Sequence, residues 1–105
     1  MTSKQKLNIV LHKYSILKFR IQIAKDNKNT EELQVLHKDY EKWNNLIEEL
    51  GKKKPKWAYI LNAYYLENKS VDTIAKELNN AYSTITMDLM DIRKYLLEKK
   101  LYKKL

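Results

Sequence analysis

The amino-acid sequence predicts an all-α protein in which an N-terminal antiparallel helical hairpin is followed by a three-helix domain. Three observations indicate this fold class. Glycine and proline occur once each among 105 residues, as Gly51 and Pro55, which disfavours β-hairpins and long irregular loops. Leu, Lys and Glu, which are good helix formers, are abundant. Apolar residues also recur every three or four positions, which is the period of an amphipathic helix.

The first predicted helix covers about residues 4–25 and has two apolar faces. One face is a heptad pattern formed by Leu7, Val10, Tyr14, Leu17, Ile21 and Ala24. The opposite face, which we call the apolar stripe, consists of Ile9, Ile16, Phe19 and Ile23. A helix of this kind is covered on both sides. We expect one face to pack within the hairpin, whereas the other needs either the C-terminal domain or a second copy of the protein.

The second predicted helix follows a polar turn at residues 26–29. It repeats the heptad pattern with Leu33, Leu36, Tyr40, Trp43, Ile47 and Leu50, and Gly51 is expected to end it. Two such helices joined by a short turn predict an antiparallel hairpin over residues 1–51. Basic residues predominate in residues 1–28 and acidic residues in 29–51, so pairing the two helices is electrostatically favourable.

A second domain is predicted over residues 52–105. Pro55 suits the first turn of a helix covering about residues 56–67. Ser70 is then expected to cap a short helix over residues 71–78, followed by a turn at 79–81 and a last helix from about 82 to 100. This spacing is typical of a helix-turn-helix, in which Ala75 is small because the two helices cross there. The residues expected to form the shared core are Ile74, Leu78, Ile85 and Leu89.

The stretch covering about residues 57–96 resembles the fourth conserved region of bacterial sigma factors. The resemblance rests on Tyr65-Leu66-Glu67 and Ser70, on Ile74-Ala75 with Leu78, and on Ser83-Thr84-Ile85. With the preceding hairpin and the pair Tyr64-Tyr65, the chain is most similar to short phage regulators of late transcription of the RinA and ArpU type. Asn68 and Asn79 stand where that family commonly has glycine, and asparagine also tolerates left-handed backbone angles.

The resemblance implies promoter binding, with the last helix in the major groove of double-stranded DNA. It implies that DNA contacts come from residues along the motif, namely Ser70, Tyr82, Ser83, Thr86, Met87, Met90, Arg93 and Lys94. The segment from Tyr82 to Ile92 departs from the family because it contains no Lys or Arg but does contain Asp88 and Asp91. A carboxylate that faces phosphates weakens binding, although aspartate can also accept a hydrogen bond from cytosine.

The net charge of +8 makes an anionic partner plausible. A basic run precedes the second domain and supplies four candidate contacts to the DNA backbone, Lys52, Lys53, Lys54 and Lys56. The same run is equally typical of a solvated linker. Because lysine binds phosphate as a point charge, and only 2 of the 21 basic residues are arginines, such a surface would depend on backbone attraction more than on base reading.

The sequence offers little for other classes of function. It contains no cysteine, which excludes disulfides and thiolate metal sites, and His12 and His37 lack neighbours at ligand spacing. There is no glycine-rich phosphate loop or nucleophile motif. We therefore expect no enzymatic activity, no metal and no cofactor. Charges interrupt the N-terminal segment, so neither a secretory signal nor a membrane span is expected, and the protein is predicted to be cytoplasmic.

Three hypotheses about function follow. The first is a DNA-binding transcription regulator of phage or mobile-element type. The second keeps the fold but makes the last helix a protein interface, so that the chain acts as an adaptor or inhibitor of RNA polymerase or of another regulator. The third is a helical oligomerisation module that forms a homodimer through the apolar stripe. The first and third are compatible, because a reader of two half-sites is commonly a dimer.

Overall fold

A computed structural model describes all 105 residues and contains six α-helices and no strand, which confirms the predicted all-α fold class. The helices are α1 (Ser3–Ser15), α2 (Leu17–Asp26), α3 (Thr30–Lys53), α4 (Pro55–Leu61), α5 (Val71–Leu78) and α6 (Tyr82–Glu98). A π-helical turn, Asn62–Leu66, continues α4, and a 3₁₀ turn, Leu101–Lys104, follows α6. None of the helices combines the length and the apolar character needed to cross a bilayer.

The prediction of one continuous helix over residues 4–25 is wrong, because the backbone breaks at Ile16. Its φ of −109° and ψ of 4° lie outside the helical range. At the break, the Asn68 side-chain amide donates a hydrogen bond of 2.8 Å to the carbonyl oxygen of Ser15. This partner lies 53 residues further along the chain, so no local pattern reveals it. The heptad pattern nevertheless continues through the break, with Leu17 and Ala24 buried.

The segment formed by α1 and α2 packs on α3. The Arg20 guanidinium lies 2.8 Å from the Glu32 carboxylate, and the Lys13 ammonium lies 3.3 Å from that of Asp39. The pairs occur in opposite order along the two segments, so the segments run antiparallel. These ion pairs join the basic segment to the acidic one.

Trp43 and Tyr14 form the centre of this packing, and both are fully buried. Their rings stack with centroids 4.8 Å apart and an interplanar angle of 29°. Burial, together with the negative charge of Asp39, raises the pKa of the Tyr14 hydroxyl well above its usual value. The Trp43 indole donates a 2.9 Å hydrogen bond to the Asn62 side-chain oxygen, which ties α3 to the π-helical turn.

The prediction that Gly51 ends the second helix is also wrong. Helix α3 continues to Lys53, and Lys54 leaves the helical conformation with a φ of −140° and a ψ of 73°. Pro55 accounts for this end, because proline disfavours the helical conformation in the residue before it. Gly51 instead lies inside α3 where α4 approaches, and a Cβ atom at this position would be 3.7 Å from that of Ala58.

The chain after α6 packs back onto α1, which the sequence did not predict. Helix α6 ends at Glu98, slightly before the predicted end, and Lys100 then adopts a left-handed conformation with a φ of 53°. This reversal buries Tyr102 and Leu105. The buried side chains of residues 7–105 consequently form one cluster that crosses the predicted division at residue 51. The division into residues 1–51 and 52–105 stays a prediction.

Candidate nucleic-acid interface

Helices α5 and α6 form a compact unit whose local geometry follows from its turn residues. The Ser70 hydroxyl accepts a 3.1 Å hydrogen bond from the backbone amide of Thr73, which confirms the predicted cap of α5. Asn79 has a φ of 54° and Asn68 a φ of 57°, so both asparagines occupy left-handed positions. Ala75 is buried on α5, and α5 packs on α6.

Polar contacts hold α5 against the preceding helix. The Glu77 carboxylate accepts a hydrogen bond from the Tyr59 hydroxyl on α4. The same carboxylate lies 3.1 Å from the Lys69 ammonium, which is also 3.8 Å from Glu67. These contacts hold the C-terminal end of α5 against α4, and they pair the charge of Lys69 within the molecule.

Helix α6 has one buried side and one exposed side in its N-terminal half. The buried side consists of Ile85, Leu89, Ile92 and Leu96. The exposed side, which we call the outer face of α6, consists of Tyr82, Ser83, Thr86, Met87 and Met90. The three large side chains among them are 60–66% exposed, which is unusual for apolar residues of this size. The rest of the chain therefore leaves this side of α6 uncovered.

The two acidic residues of α6 differ in their surroundings. Asp88 is mostly buried, and its carboxylate lies 3.1 Å from the ammonium of Lys56 on α4. Asp91 is exposed, and its spacing from Ser83 and Met87 places it on the same side of the helix. Of the two carboxylates, only that of Asp91 borders the outer face, while Asp88 and Lys56 neutralise one another.

Arg93 makes contacts within the molecule. Its guanidinium donates a 2.8 Å hydrogen bond to the Tyr65 hydroxyl and another to the side-chain oxygen of Asn8 on α1. Among the other residues that the resemblance implied, Lys94 is exposed on α6, whereas the Ser70 hydroxyl donates to that of Thr73 at 2.8 Å. Arg93 is therefore placed to hold α6 against α1, and Lys94 is the free cation on this part of the helix.

The basic run between α3 and α4 lies against the C-terminal half of α6. The Lys54 ammonium is 4.2 Å from the centre of the Trp57 ring, which packs edge-on against Tyr95 at 5.7 Å. Lys53 and Lys99, together with Tyr95, line a groove of about 290 Å³. We call Lys52, Lys53, Lys54 and Lys99 the lysine flank. The sequence analysis did not name Lys99 as a candidate contact, because Lys53 and Lys99 are far apart in the sequence and meet only in the folded chain.

The apolar stripe lies on the outside of α1 and α2. Phe19 is 70% exposed, and Ile9, Ile16 and Ile23 are exposed to lesser degrees. The C-terminal half of the chain therefore does not cover this stripe.

No family model, curated protein or solved structure matches this chain.

Proposed function

We propose that this protein is a DNA-binding transcription regulator that places α6 in the major groove of promoter DNA. The observation that carries the proposal is the outer face of α6, which is exposed along a helix whose opposite side is buried against the rest of the molecule. The major groove is about 12 Å wide and admits one α-helix. The resemblance to the fourth region of sigma factors supports the same orientation of the α5–α6 unit.

The outer face has suitable chemistry for reading bases. The Ser83 hydroxyl can donate to or accept from base edges, the Thr86 hydroxyl can accept, and the side chains of Met87 and Met90 can contact thymine methyl groups. The Thr86 hydroxyl donates at 3.2 Å to the carbonyl oxygen of Tyr82, so its lone pairs remain free to accept. The outer face carries no positive charge of its own, and the lysine flank lies near the C-terminal end of α6, where it would attract the DNA backbone.

The outer face is tested by adding two negative charges to it. The double variant Ser83→Glu with Thr86→Glu should bind duplex fragments of its own promoter region about 5- to 150-fold more weakly, because the carboxylates repel phosphates and remove two hydroxyls. Fluorescence anisotropy titrations at fixed salt measure the change.

The matched control is Gln34→Glu with His37→Glu. These residues are exposed on the N-terminal part of α3, and the control changes the formal net charge by the same amount. It should bind DNA almost as the unmodified protein does. Equal weakening by both doubles, or no binding by the unmodified protein at low salt, would rule the proposal out.

A second candidate function is that of a protein-binding adaptor or inhibitor acting on RNA polymerase or another regulator. It is favoured by the exposed Tyr82, Met87 and Met90, because aromatic residues and methionine are enriched at protein interfaces. Co-purification of polymerase with the protein, lost in Met87→Glu, together with absent DNA binding would favour this function. A DNA footprint that the same variant abolishes would favour the first.

A second copy of the chain is the partner proposed for the apolar stripe. Of the basic residues near the stripe, Lys13 and Arg20 are paired with Asp39 and Glu32, whereas Lys18 and Lys25 are exposed and unpaired. The apolar contact between two copies must therefore outweigh the repulsion of these lysines. The exposed apolar area is on the order of 500 Å² per copy, which lies within the range of functional patches. Two stripes packed face to face would remove this area from water.

The dimer is tested by Phe19→Glu with Ile23→Glu. Sedimentation velocity over a concentration series should show dimers of the unmodified protein and a weakening of association by at least about tenfold in this variant, because each buried carboxylate lacks a partner. Val35→Glu, at an exposed position on α3, is the control and should leave association unchanged. A monomer at every concentration of the unmodified protein would contradict the dimer.

A further inference from the structure

A polar groove of about 410 Å³ lies between α1, the π-helical turn and α6. We call it the Arg93 groove. Nine residues line it, and none of them is acidic. Its polar side chains include Asn8, His12, Tyr64, Asn68, Lys69 and Arg93. The lining is therefore rich in hydrogen-bond donors and has no carboxylate to balance them.

The charge of Arg93 has no counter-ion within the molecule. The chain has two arginines, and the other, Arg20, is paired with Glu32 at 2.8 Å. Arg93 instead donates to two neutral oxygens, those of Tyr65 and Asn8, and forms no ion pair. A guanidinium has five N–H donors in a rigid fork, so donors remain after these two hydrogen bonds. A partly buried guanidinium in this situation favours a bound anion.

Two further groups in the groove are free to contact a ligand. The imidazole of His12 and the hydroxyl of Tyr64 make no side-chain hydrogen bond, and both are exposed. In contrast, the Asn68 amide donates to the Ser15 carbonyl, and the ammonium of Lys69 lies between two carboxylates. The free donors therefore belong to Arg93, His12 and Tyr64, which approach the groove from three different elements.

We propose that the Arg93 groove binds a phosphate group. The planar fork of Arg93 matches two oxygens of a phosphate, and donors from α1 and the π-helical turn can reach the others. The phosphate group that binds is either inorganic phosphate in solution or a phosphate of the DNA backbone. The Arg93 groove does not depend on α6 entering the major groove, so its occupancy can be tested whether or not the protein binds a promoter.

The test uses inorganic phosphate and the full chain. In two-dimensional ¹H–¹⁵N NMR, phosphate added against sodium chloride at equal ionic strength should shift the resonances of Arg93, Asn8 and His12. The shifts should saturate with a Kd on the order of 1–10 mM. Shifts that do not saturate, or that sodium chloride reproduces, would overturn the proposal.

Three variants identify the groups that bind. Arg93→Gln should weaken phosphate binding at least about tenfold, which is the usual scale for losing hydrogen bonds to a charged group. Arg20→Gln removes the same charge elsewhere and should leave binding unchanged. Since Arg93 also holds α6 against α1, Tyr64→Phe provides a milder change that keeps the edge-on packing against Tyr65 and should weaken binding about 2- to 10-fold. Equal binding by all three would contradict the site.

Two further titrations identify the source and the chemistry of the anion. If a promoter duplex shifts the same resonances and competes with phosphate, the DNA backbone supplies the group. If the duplex leaves them unchanged while phosphate shifts them, free phosphate supplies it. Acetate should bind more weakly than phosphate, and equal binding of the two would overturn the assignment of phosphate.

Discussion

Replacing Trp43 by alanine is expected to lower the free energy of unfolding by about 3–5 kcal/mol. The Trp43 side chain has no exposure, stacks on Tyr14 and donates its indole N–H to Asn62. The variant would lose the burial of a large ring, leave a cavity between α1 and α3, and remove the hydrogen-bond donor for Asn62. A domain of this size is typically stable by about 5–15 kcal/mol, so the variant should lose a large share of its stability. Urea denaturation followed by circular dichroism measures the loss.

Two other variants on α3 provide comparisons for the stability of Trp43→Ala. Trp43→Phe keeps a ring against Tyr14 but removes the indole donor, so its loss should be smaller, with about 1–3 kcal/mol from the unpaired Asn62 oxygen. Val35→Ala changes an exposed residue of α3 and should lie within about 0.5 kcal/mol of the unmodified protein. If Trp43→Ala were as stable as Val35→Ala, the packing of α1 on α3 described above would be wrong.

Removing three charges from the lysine flank is expected to weaken DNA binding on the order of 100-fold at 0.1 M salt. The variant is Lys52→Gln with Lys53→Gln and Lys99→Gln, and none of the three lysines forms an ion pair within the chain. Lys54 is kept because it lies over the Trp57 ring. The slope of log Kobs against log salt should become shallower by about 2.7, since each phosphate contact contributes about 0.9.

The matched control removes three charges from α2 and the N-terminal half of α3. Lys18, Lys25 and Lys38 are exposed on α2 and α3 and likewise form no ion pair. The same replacements there should leave the salt slope nearly unchanged, because exposed charges far from a contact are screened. Equal loss in both triples would mean that net charge, and not the lysine flank, attracts DNA.

Local sequence signals were sufficient where neighbouring residues determine the backbone. Ser70 supplies an oxygen for the free amide at the start of α5, and Asn79 tolerates the left-handed turn, so the bounds of this helix agree with the prediction. The two apolar faces of the first predicted helix indicated that both are covered, whereas the structure leaves the apolar stripe exposed in the single chain.

Local sequence signals did not predict helix ends and side-chain partners that depend on residues elsewhere in the chain. The break at Ile16 accompanies a hydrogen bond from Asn68, and the end of α3 follows from Pro55 rather than from Gly51. The sequence also predicted Arg93 as a DNA contact. Its guanidinium instead donates hydrogen bonds to Asn8 and Tyr65, which are too distant in the sequence to be recognised as partners. Similarly, nothing near Asp88 in the sequence indicates that Lys56 pairs with it.

The sequence by itself determined the all-α class, the apolar faces of the helices and the turn between α5 and α6, because these depend on residues within one or two helical turns. Only the tertiary structure decided which charges are free. In the folded chain Lys56 forms an ion pair with Asp88, and Arg93 donates hydrogen bonds to neutral oxygens. Lys99 and Lys53 line the same groove. The reason is physical: helical periodicity specifies which side of a helix is buried, whereas the position of one helix against another decides which charged groups meet.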